Sequence, residues 1–392
     1  MDEASATTNS TATGLTTNTS HVNTSTSHDS SFEVVIADST HKDNDNHSNS
    51  EDWAVVEEDQ SKQYVHEVTE GALQGLSYNA TLQTLSSEGT RDMDRWIVMP
   101  SLAQETFSKH TLQVLDLYKN RYIQELHPSV CDLTNLRVLS LKRCEKLQTL
   151  PATIGNLKNL ETLDLMDASN VSSLPESLGD LTKLKTLIIG GHQGSGNKVL
   201  KALPSTLGNL QNLETLCLDK CKELEALPPT IGNLCNLKVL LMRECKAVKE
   251  LPISMGNLTN LVEVSLSKCI GLTVIPPCIG NWQRLEDLVL NKCKNITQLP
   301  DSLCDLQSLC LLDLRACKKL ISLPRQLGNL QSLKMLDLRT CKRLETLPAS
   351  LGQLTNLQVL DISDCVDMQC IPKSLEKFKN MAIGWDDTRV EP

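Results

Sequence analysis

The sequence lacks a large aromatic core, a leader segment and a membrane-spanning run. Aromatic residues make up 3% of the 392 residues, so the apolar side chains available for burial are mostly leucine. The N-terminus has no basic stretch followed by an apolar stretch, and no run of 18 apolar residues occurs. We therefore expect a cytoplasmic protein, with a nuclear location left open, no membrane span, and fifteen reduced cysteines.

Positive charge is scarce at the N-terminal end of the chain. Residues 1–111 hold 18 Asp and Glu against 5 Lys and Arg, whereas residues 112–392 hold 30 against 33. Neither part is strongly basic, and the acidic part would repel phosphate groups. This distribution argues against nucleic acid as the partner.

Catalytic and cofactor motifs are also missing. The sequence has no GxSxG, HExxH or protein-kinase motif set. The segment from Gly191 to Lys198 resembles a phosphate-binding loop, but Asn197 and Val199 break the required spacing of Gly, Lys and Ser or Thr. We interpret this segment as a surface insertion and predict a protein without enzymatic activity or cofactor.

What the chain does contain is an internal repeat of the form LxxLxLxxCxxLxxLPxxIGNLxx. The leading leucines are 24 residues apart except for one step of 29, and this regularity predicts stacked coils rather than separate domains. The repeat begins at Leu112, Leu136, Leu160, Leu184, Leu213, Leu237, Leu261, Leu285, Leu309, Leu333 and Leu357.

Each coil combines a strand with a turn. Alternation after Leu309 sends Leu312 and Leu314 into the core and Asp313 to the opposite face. The following Leu-Pro ends extended structure, and apolar residues three apart then favour a short helical or 3₁₀ turn. Gly328 is expected to relax the backbone at the end of such a turn.

These coils predict an α/β solenoid, a horseshoe of about eleven coils with a concave parallel sheet and turns on the convex side. We assign residues 1–52 to a disordered acidic arm, because they hold too few apolar residues to fold. Residues 53–111 contribute an N-terminal cap, residues 112–381 form the solenoid, and residues 382–392 form the C-terminal cap and tail.

Eight cysteines recur at one position of the coil. Metal or redox chemistry would require converging thiols or a basic neighbour, and the sequence offers neither. We interpret this cysteine column as structural, with each thiol turned inward after the strand and its S–H donating to a neighbouring backbone carbonyl. Its members are Cys144, Cys221, Cys245, Cys269, Cys293, Cys317, Cys341 and Cys365.

Two rows of residues are expected on the concave face, where packing does not fix their identity. The middle row contains Asp116, Ser140, Asp164, Ile188, Cys217, Leu241, Ser265, Val289, Asp313, Asp337 and Asp361. The trailing row contains Tyr118, Lys142, Met166, Gly190, Asp219, Arg243, Ser267, Asn291, Arg315, Arg339 and Ser363.

The last third of these rows alternates acidic and basic residues. One interpretation is a ladder whose charges neutralise each other across strands about 4.8 Å apart. The other is a charged docking patch beside an exposed apolar patch, since such patches mark partner sites. On the second interpretation the partner-binding candidates are Ile188, Leu241, Arg243, Val289, Asp313, Arg315, Asp337, Arg339 and Asp361.

A basic rim follows the strands beside the cysteine column. It is either a solvated edge that prevents aggregation or a surface onto which the acidic arm folds, in competition with a partner. The rim comprises Lys220, Lys222, Lys246, Lys268, Lys292, Lys294, Lys318, Lys319, Lys342 and Arg343.

The sequence LETLPASLGQLTNLQVLDISDC, repeated with variants over residues 112–381, resembles the leucine-rich-repeat region of plant intracellular immune receptors. The resemblance implies recognition of a protein in plant defence, but not ATP binding, because no nucleotide-binding loop precedes the repeats. The LPxxIGNL half is also similar to plant Ras-group leucine-rich-repeat scaffolds, which usually have Asn in place of the column Cys.

Two functions therefore remain open, both based on binding a protein with the concave face. One is a recognition module in defence or intracellular signalling. The alternative is a scaffold that assembles a small GTPase or phosphatase complex.

Overall fold

The computed structural model describes residues 83–86, 112–191, 194 and 196–391. The predicted disordered arm, residues 1–52, lies outside the described residues, as does nearly all of the segment assigned to the N-terminal cap. Only the backbone of residues 83–86 is described within that segment.

In the described residues, thirteen strands form one sheet in which every strand pairs with its sequence neighbours, and all of the pairs are parallel. The order follows the chain because each coil contributes one strand and returns through its turn. Strands β1 to β13 are Gln83–Ser86, Leu112–Asp116, Val138–Ser140, Thr162–Asp164, Thr186–Ile188, Thr215–Cys217, Val239–Leu241, Glu263–Ser265, Asp287–Val289, Leu311–Asp313, Met335–Asp337, Val359–Asp361 and Ala382–Ile383.

The opposite side of each coil carries a 3₁₀ helix, and no α-helix occurs in the described part of the chain. Prolines at or beside the start of many of these segments supply the fixed φ that a helical turn needs. The 3₁₀ helices are Pro128–Asp132, Ile154–Asn156, Glu176–Asp180, Ser205–Asn209, Pro229–Asn233, Ile253–Asn257, Pro277–Asn281, Asp301–Asp305, Leu327–Asn329, Ala349–Gln353, Lys373–Phe378 and Asp387–Arg389.

The predicted solenoid is therefore confirmed. Its core is one continuous apolar cluster that runs through all of the coils, to which the repeated leucines such as Leu309, Leu312 and Leu314 contribute fully buried side chains. At the C-terminal end, Phe378 is buried and Trp385 packs against the cluster, so both residues cover the last coil.

The glycine of the turn has a different role from the one expected. Gly328 does not adopt a positive φ, but a methyl group added to it would collide with the backbone carbonyl of Ser350 in the next coil. The repeated glycine is required because successive coils approach closely on the turn side, and the expectation that it relaxes the backbone is wrong.

Candidate functional site

The middle and trailing rows lie where the repeat predicts them, on the face of the sheet that points away from the main core. Adjacent members pair across neighbouring strands, for example Ile188 with Cys217, Cys217 with Leu241, and Asp313 with Asp337. We call this face the concave face. The candidate residues are therefore brought into continuous rows, but their exposure differs from the prediction.

The prediction of an exposed apolar patch is wrong. Ile188 and Leu241 are fully buried, because they pack with Met166, Cys217 and Val239 in a second apolar cluster on the concave side of the sheet. Apolar side chains of neighbouring strands are close enough to cover one another. We call these five residues the concave apolar cluster.

Val289 is separate from that cluster. It is half-buried, and Ser265 stands between it and Leu241 in the register of the strands. The three apolar candidates thus do not form one contiguous surface.

The aspartates of the middle row cap the ends of their strands. Each carboxylate accepts a hydrogen bond from the backbone N–H two residues later, at 2.9 Å for Asp313, Asp337 and Asp361. Asp116 and Asp164 make the same bond. Because Asp313, Asp337 and Asp361 are buried, they do not form the exposed charged patch that the sequence predicted.

The expected alternation of charge is realised only in part. A side-chain nitrogen of Arg315 lies 3.9 Å from the Asp313 carboxylate, whereas Arg339 forms no ion pair with another described residue. Asp313 instead accepts a 2.5 Å hydrogen bond from Asn291, which accepts one of 2.5 Å from Ser267. This polar chain links three strands and competes with the predicted ladder.

Arg243 has a structural partner that the sequence did not indicate. Its guanidinium lies 2.9 Å from the carboxylate of Asp219, one strand earlier, and its backbone N–H donates to the same carboxylate at 2.6 Å. Asp219 is almost fully buried, so the pair holds the trailing row of β6 and β7 together.

A neutralising ladder does exist, but in another row of the N-terminal half. Glu161 contacts Arg137 at 2.6 Å and Lys185 at 2.8 Å, and Glu214 contacts Lys238 at 2.7 Å. The hydrogen bond from Arg137 lowers the pKa of Glu161. The charge alternates in sign at the residue just before each strand begins, at Arg137, Glu161, Lys185, Glu214 and Lys238. This signal was present in the sequence, and the sequence interpretation missed it.

A third concave row, which we call the leading row, lies two residues before the middle row. In the C-terminal half it consists of half-buried residues on five consecutive strands: Glu263, Asp287, Leu311, Met335 and Val359. Burial and the charge of Asp287 raise the pKa of Glu263 to about 7. Burial and the charge of Glu286 raise the pKa of Asp287 to about 6.

The basic rim is more exposed than the concave rows. Lys246, Lys294, Lys318, Lys342 and Arg343 are exposed. Two other rim lysines contact the protein: Lys268 lies 3.2 Å from Glu244, and Lys220 donates to the carbonyl of Gly194 at 3.0 Å. The rim is therefore a positively charged surface whose charge is concentrated in the later coils.

The backbone at the rim has a repeated left-handed residue directly before the column position. This conformation costs free energy for residues other than glycine, and the stacked coils maintain it. Values of φ between 57° and 62° occur at Lys119, Arg143, Asp167, Lys220, Glu244, Lys268, Lys292, Ala316, Thr340 and Asp364.

The structural interpretation of the cysteine column is confirmed for seven of its eight thiols, and the eighth, the thiol of Cys221, is fully buried without a hydrogen bond to the described residues. The Cys144 thiol donates to the carbonyl of Leu117 at 3.1 Å, and the Cys317 thiol donates to that of Leu290 at 3.2 Å. Burial raises the pKa of Cys144 to about 12, which keeps the thiol protonated and able to donate. No group of three or more potential metal ligands is found among the described residues.

The insertion places an asparagine in this column. The side-chain oxygen of Asn197 accepts from the N–H groups of Val199 and Leu200, and Asn120 makes the equivalent bonds in the first coil. Asp167 accepts a 3.2 Å hydrogen bond from the N–H of Gly196, which has a φ of 64°. The described part of the insertion is thus a continuation of the coil, as its non-nucleotide interpretation requires.

The described residues include no helix that could cross a lipid bilayer. A family model described as a leucine-rich repeat region matches residues 95–226, roughly a third of the chain. A search of curated proteins found no match.

Three solved structures are similar to part of this chain. A leucine-rich-repeat protein of Leptospira interrogans is 26% identical over 73% of this chain and 80% of its own, with a TM-score of 0.42. The leucine-rich-repeat domain of the type III effector XopL is 26% identical over 58% and 69%, with a TM-score of 0.42.

An internalin of Listeria monocytogenes is 19% identical over 67% of this chain and 80% of its own, with a TM-score of 0.43. The coils of residues 112–226 fall within the part of the chain that matches the leucine-rich repeat model, and stacked coils of this kind form an extended surface suited to protein recognition.

Proposed function

We propose that this protein binds another protein through the concave face of its sheet and has no catalytic role. The observation that carries the proposal is that each coil separates positions that pack the core from positions on the face of the sheet. The leucine and cysteine positions repeat and are buried, whereas the leading and trailing rows change chemistry from strand to strand. In the later coils the leading row stays half-buried, as do Arg339 and Ser363 of the trailing row. A surface built this way supports recognition by an extended face rather than by a cleft.

Charge reversal on the concave face tests the proposal. Lys142 and Arg339 are half-buried members of the trailing row whose side chains make no ion pair with other described residues. We expect Lys142→Glu with Arg339→Glu to remove specific partners from affinity purifications of the full chain quantified by mass spectrometry. Like-charge contacts at an interface weaken binding strongly.

A matched variant changes the same charge on the turn side. Arg284 follows one 3₁₀ helix, Arg325 precedes another, and both are exposed. Arg284→Glu with Arg325→Glu should therefore leave the partners unchanged. If the two variants lose the same partners, or if neither loses any, the concave face is not the binding surface.

We further propose that the binding serves plant defence or intracellular signalling in the cytoplasm, with entry into the nucleus left open. This rests on the resemblance of the repeat consensus, in which Cys dominates the column, to plant immune receptors. The identity of the partners separates this role from its alternative. Receptors or pathogen proteins would favour recognition, and a small GTPase or phosphatase would favour a Ras-group scaffold.

The acidic N-terminal segment is proposed to contact the basic rim. Residues 1–111 carry 18 acidic and 5 basic residues, and the later coils expose Lys294, Lys318 and Lys342. Opposite charges of this density attract each other at low ionic strength and much less at high ionic strength. Such a contact would compete with a partner that approaches the same edge.

Zero-length carbodiimide cross-linking measures that contact directly. We expect cross-links from carboxylates of residues 1–111 to Lys294, Lys318 and Lys342, and a strong reduction in 0.5 M salt. Lys373, exposed on the turn side, is the internal control and should not be cross-linked. Equal cross-linking of Lys373 and the rim lysines would mean that the acidic segment does not prefer the rim and that the rim is only a solvated edge.

A further inference from the structure

The leading row changes character between β7 and β8. On the earlier strands its residues are small or β-branched and almost completely buried, as at Val138, Thr162, Thr186, Thr215 and Val239. From β8 onward it becomes the half-buried row of two acidic and three apolar residues described above. We call Glu263, Asp287, Leu311, Met335 and Val359 the acidic and apolar stripe.

The stripe is continuous. Glu263 pairs with Asp287, Asp287 with Leu311, Leu311 with Met335, and Met335 with Val359 in the register of five adjacent strands. At about 4.8 Å per strand, the stripe is about 19 Å long. This length matches about six residues of an extended peptide.

The acidic end of the stripe has no counterion among the described residues. Glu263 and Asp287 form no hydrogen bond or ion pair there with their side chains, although they are neighbours on adjacent strands. The charge of Arg243 lowers the pKa of Glu263, but that guanidinium is already bonded to Asp219. Two carboxylates held together and partly removed from water are unfavourable until a cation joins them.

The apolar end of the stripe is equally incomplete. Leu311, Met335 and Val359 remain half-buried, whereas the apolar residues of the concave apolar cluster cover one another completely. Three partly exposed apolar side chains in a row gain free energy when a partner covers them. A ligand that covers the whole stripe therefore needs a positive charge at one end and apolar groups at the other.

We propose that the acidic and apolar stripe binds an extended segment of a partner protein in which an Arg or Lys precedes apolar residues at alternate positions. The proposal rests on concave-face binding and adds the chemistry of the partner segment and the order of its basic and apolar side chains along the stripe. The basic side chain lies between Glu263 and Asp287, and the apolar side chains cover Leu311, Met335 and Val359. A metal ion does not fit, because no set of three ligands converges in the described residues.

A synthetic probe with this chemistry tests the proposal on the full chain. The probe is the fluorescein-labelled peptide Arg-Ser-Leu-Ser-Met-Ser-Val with blocked ends, whose alternate side chains span about 20 Å when extended. Fluorescence anisotropy is measured at pH 8, where both carboxylates are ionised. We expect saturable binding that weakens about tenfold when citrulline replaces the arginine.

The variant Glu263→Gln with Asp287→Asn should weaken binding of the arginine peptide about tenfold and leave the citrulline peptide unaffected. Both substitutions preserve shape. Glu223→Gln with Glu225→Gln removes the same charge from exposed positions near the rim and should bind like the wild type. Met335→Ser should weaken both peptides several-fold through lost apolar contact.

Absence of binding by the wild type, or equal binding by the wild type and the Glu263→Gln, Asp287→Asn variant, overturns the proposal. This result is distinguishable from failure of the proposed function. If Lys142→Glu with Arg339→Glu removes natural partners while the stripe variant retains them all, the concave face binds proteins but not through the stripe.

Discussion

The two halves of the concave face use the same backbone in opposite ways. On strands β2 to β7, charged residues neutralise each other, as Glu161 does with Arg137 and Lys185, and apolar residues bury each other. On strands β8 to β12, Glu263 and Asp287 have no counterion in the described chain, and apolar residues such as Leu311 stay half-buried. The first half stabilises the solenoid, and the second leaves interactions for a partner to complete.

This difference separates structural identity from surface chemistry in a repeat protein. The core positions of both halves are alike, because every coil stacks on its neighbours through the same leucines and column residues. The rows on the sheet are free of that constraint. A row is available to a partner when its charged and apolar side chains are not already covered by neighbouring strands. This property depends on several coils and cannot be recognised in one coil alone.

The largest expected difference between the halves concerns apolar residues. Leu241→Ala should lower the free energy of unfolding by about 2 to 4 kcal/mol, because it leaves a cavity in the concave apolar cluster. Leu311→Ala, the same change at a half-buried position, should cost about 1 kcal/mol or less. Urea unfolding followed by circular dichroism measures both. Equal losses would mean that the two halves are packed alike.

The pH dependence of stability should come mainly from the C-terminal half. Burial raises the pKa values of Glu263 and Asp337 to about 7 and that of Asp287 to about 6. A carboxyl group whose pKa is higher in the folded state stabilises the fold below its unfolded value and loses that contribution as pH rises through the folded value. Stability should therefore fall between pH 5 and pH 8.

The contributions of the three carboxyl groups add, so we expect a decrease of about 2 to 6 kcal/mol over that range. The Glu263→Gln, Asp287→Asn variant should show a smaller decrease, and urea titrations at several pH values measure it. Among the described residues of the N-terminal half, Asp164 is the carboxyl group that contributes in this range, because burial raises its pKa to about 6. If stability instead rises toward pH 8, the ionised carboxylates of the second half are stabilised by the folded protein, and their pKa values are not raised.

Two substitutions of Asp337 separate the effect of its hydrogen bond at the strand end from the effect of its charge. Asp337→Asn keeps an oxygen that accepts from the N–H of Arg339 and removes a charge between Asp313 and Asp361. Burial and the charge of Asp313 raise the pKa of Asp337, so the ionised side chain is unfavourable above pH 7. Stability should rise on the order of 1 kcal/mol at pH 8 and be unchanged at pH 5. Asp337→Ala, which also removes the cap, should lose stability at both pH values.

The sequence was sufficient for the solenoid because periodicity determines it. The spacing of the leucines predicted the strands, the turns and the register of the concave rows, and the position of Cys317 predicted its bond to a backbone carbonyl. Each of these depends on a single coil and its immediate neighbour, and both are visible in the repeat.

Exposure of the concave face could not be predicted in the same way. Ile188 and Leu241 were expected to be exposed because alternation assigns them to the sheet face, yet they are covered by side chains of other strands. Asp313 and Asp337 were expected to face a partner or an arginine, yet each accepts a hydrogen bond from the backbone N–H two residues later, and Asp313 also lies near an arginine. Such choices depend on side-chain conformation and local competition between partners, which a one-dimensional pattern does not contain.

The smallest expected effect concerns the ladder of the N-terminal half. Glu161→Gln removes the shared partner of Arg137 and Lys185, and because the three side chains are partly exposed the loss should be about 0.5 to 1 kcal/mol. Glu286→Gln, an exposed residue at the equivalent row position in the second half with no ion pair among the described residues, should cost nothing measurable. The effect of Glu161→Gln should shrink in 0.5 M salt, since screening weakens exposed ion pairs. A salt-independent loss would show that Glu161 acts through packing, and a loss of equal size for Glu286→Gln would erase the electrostatic contrast between the halves.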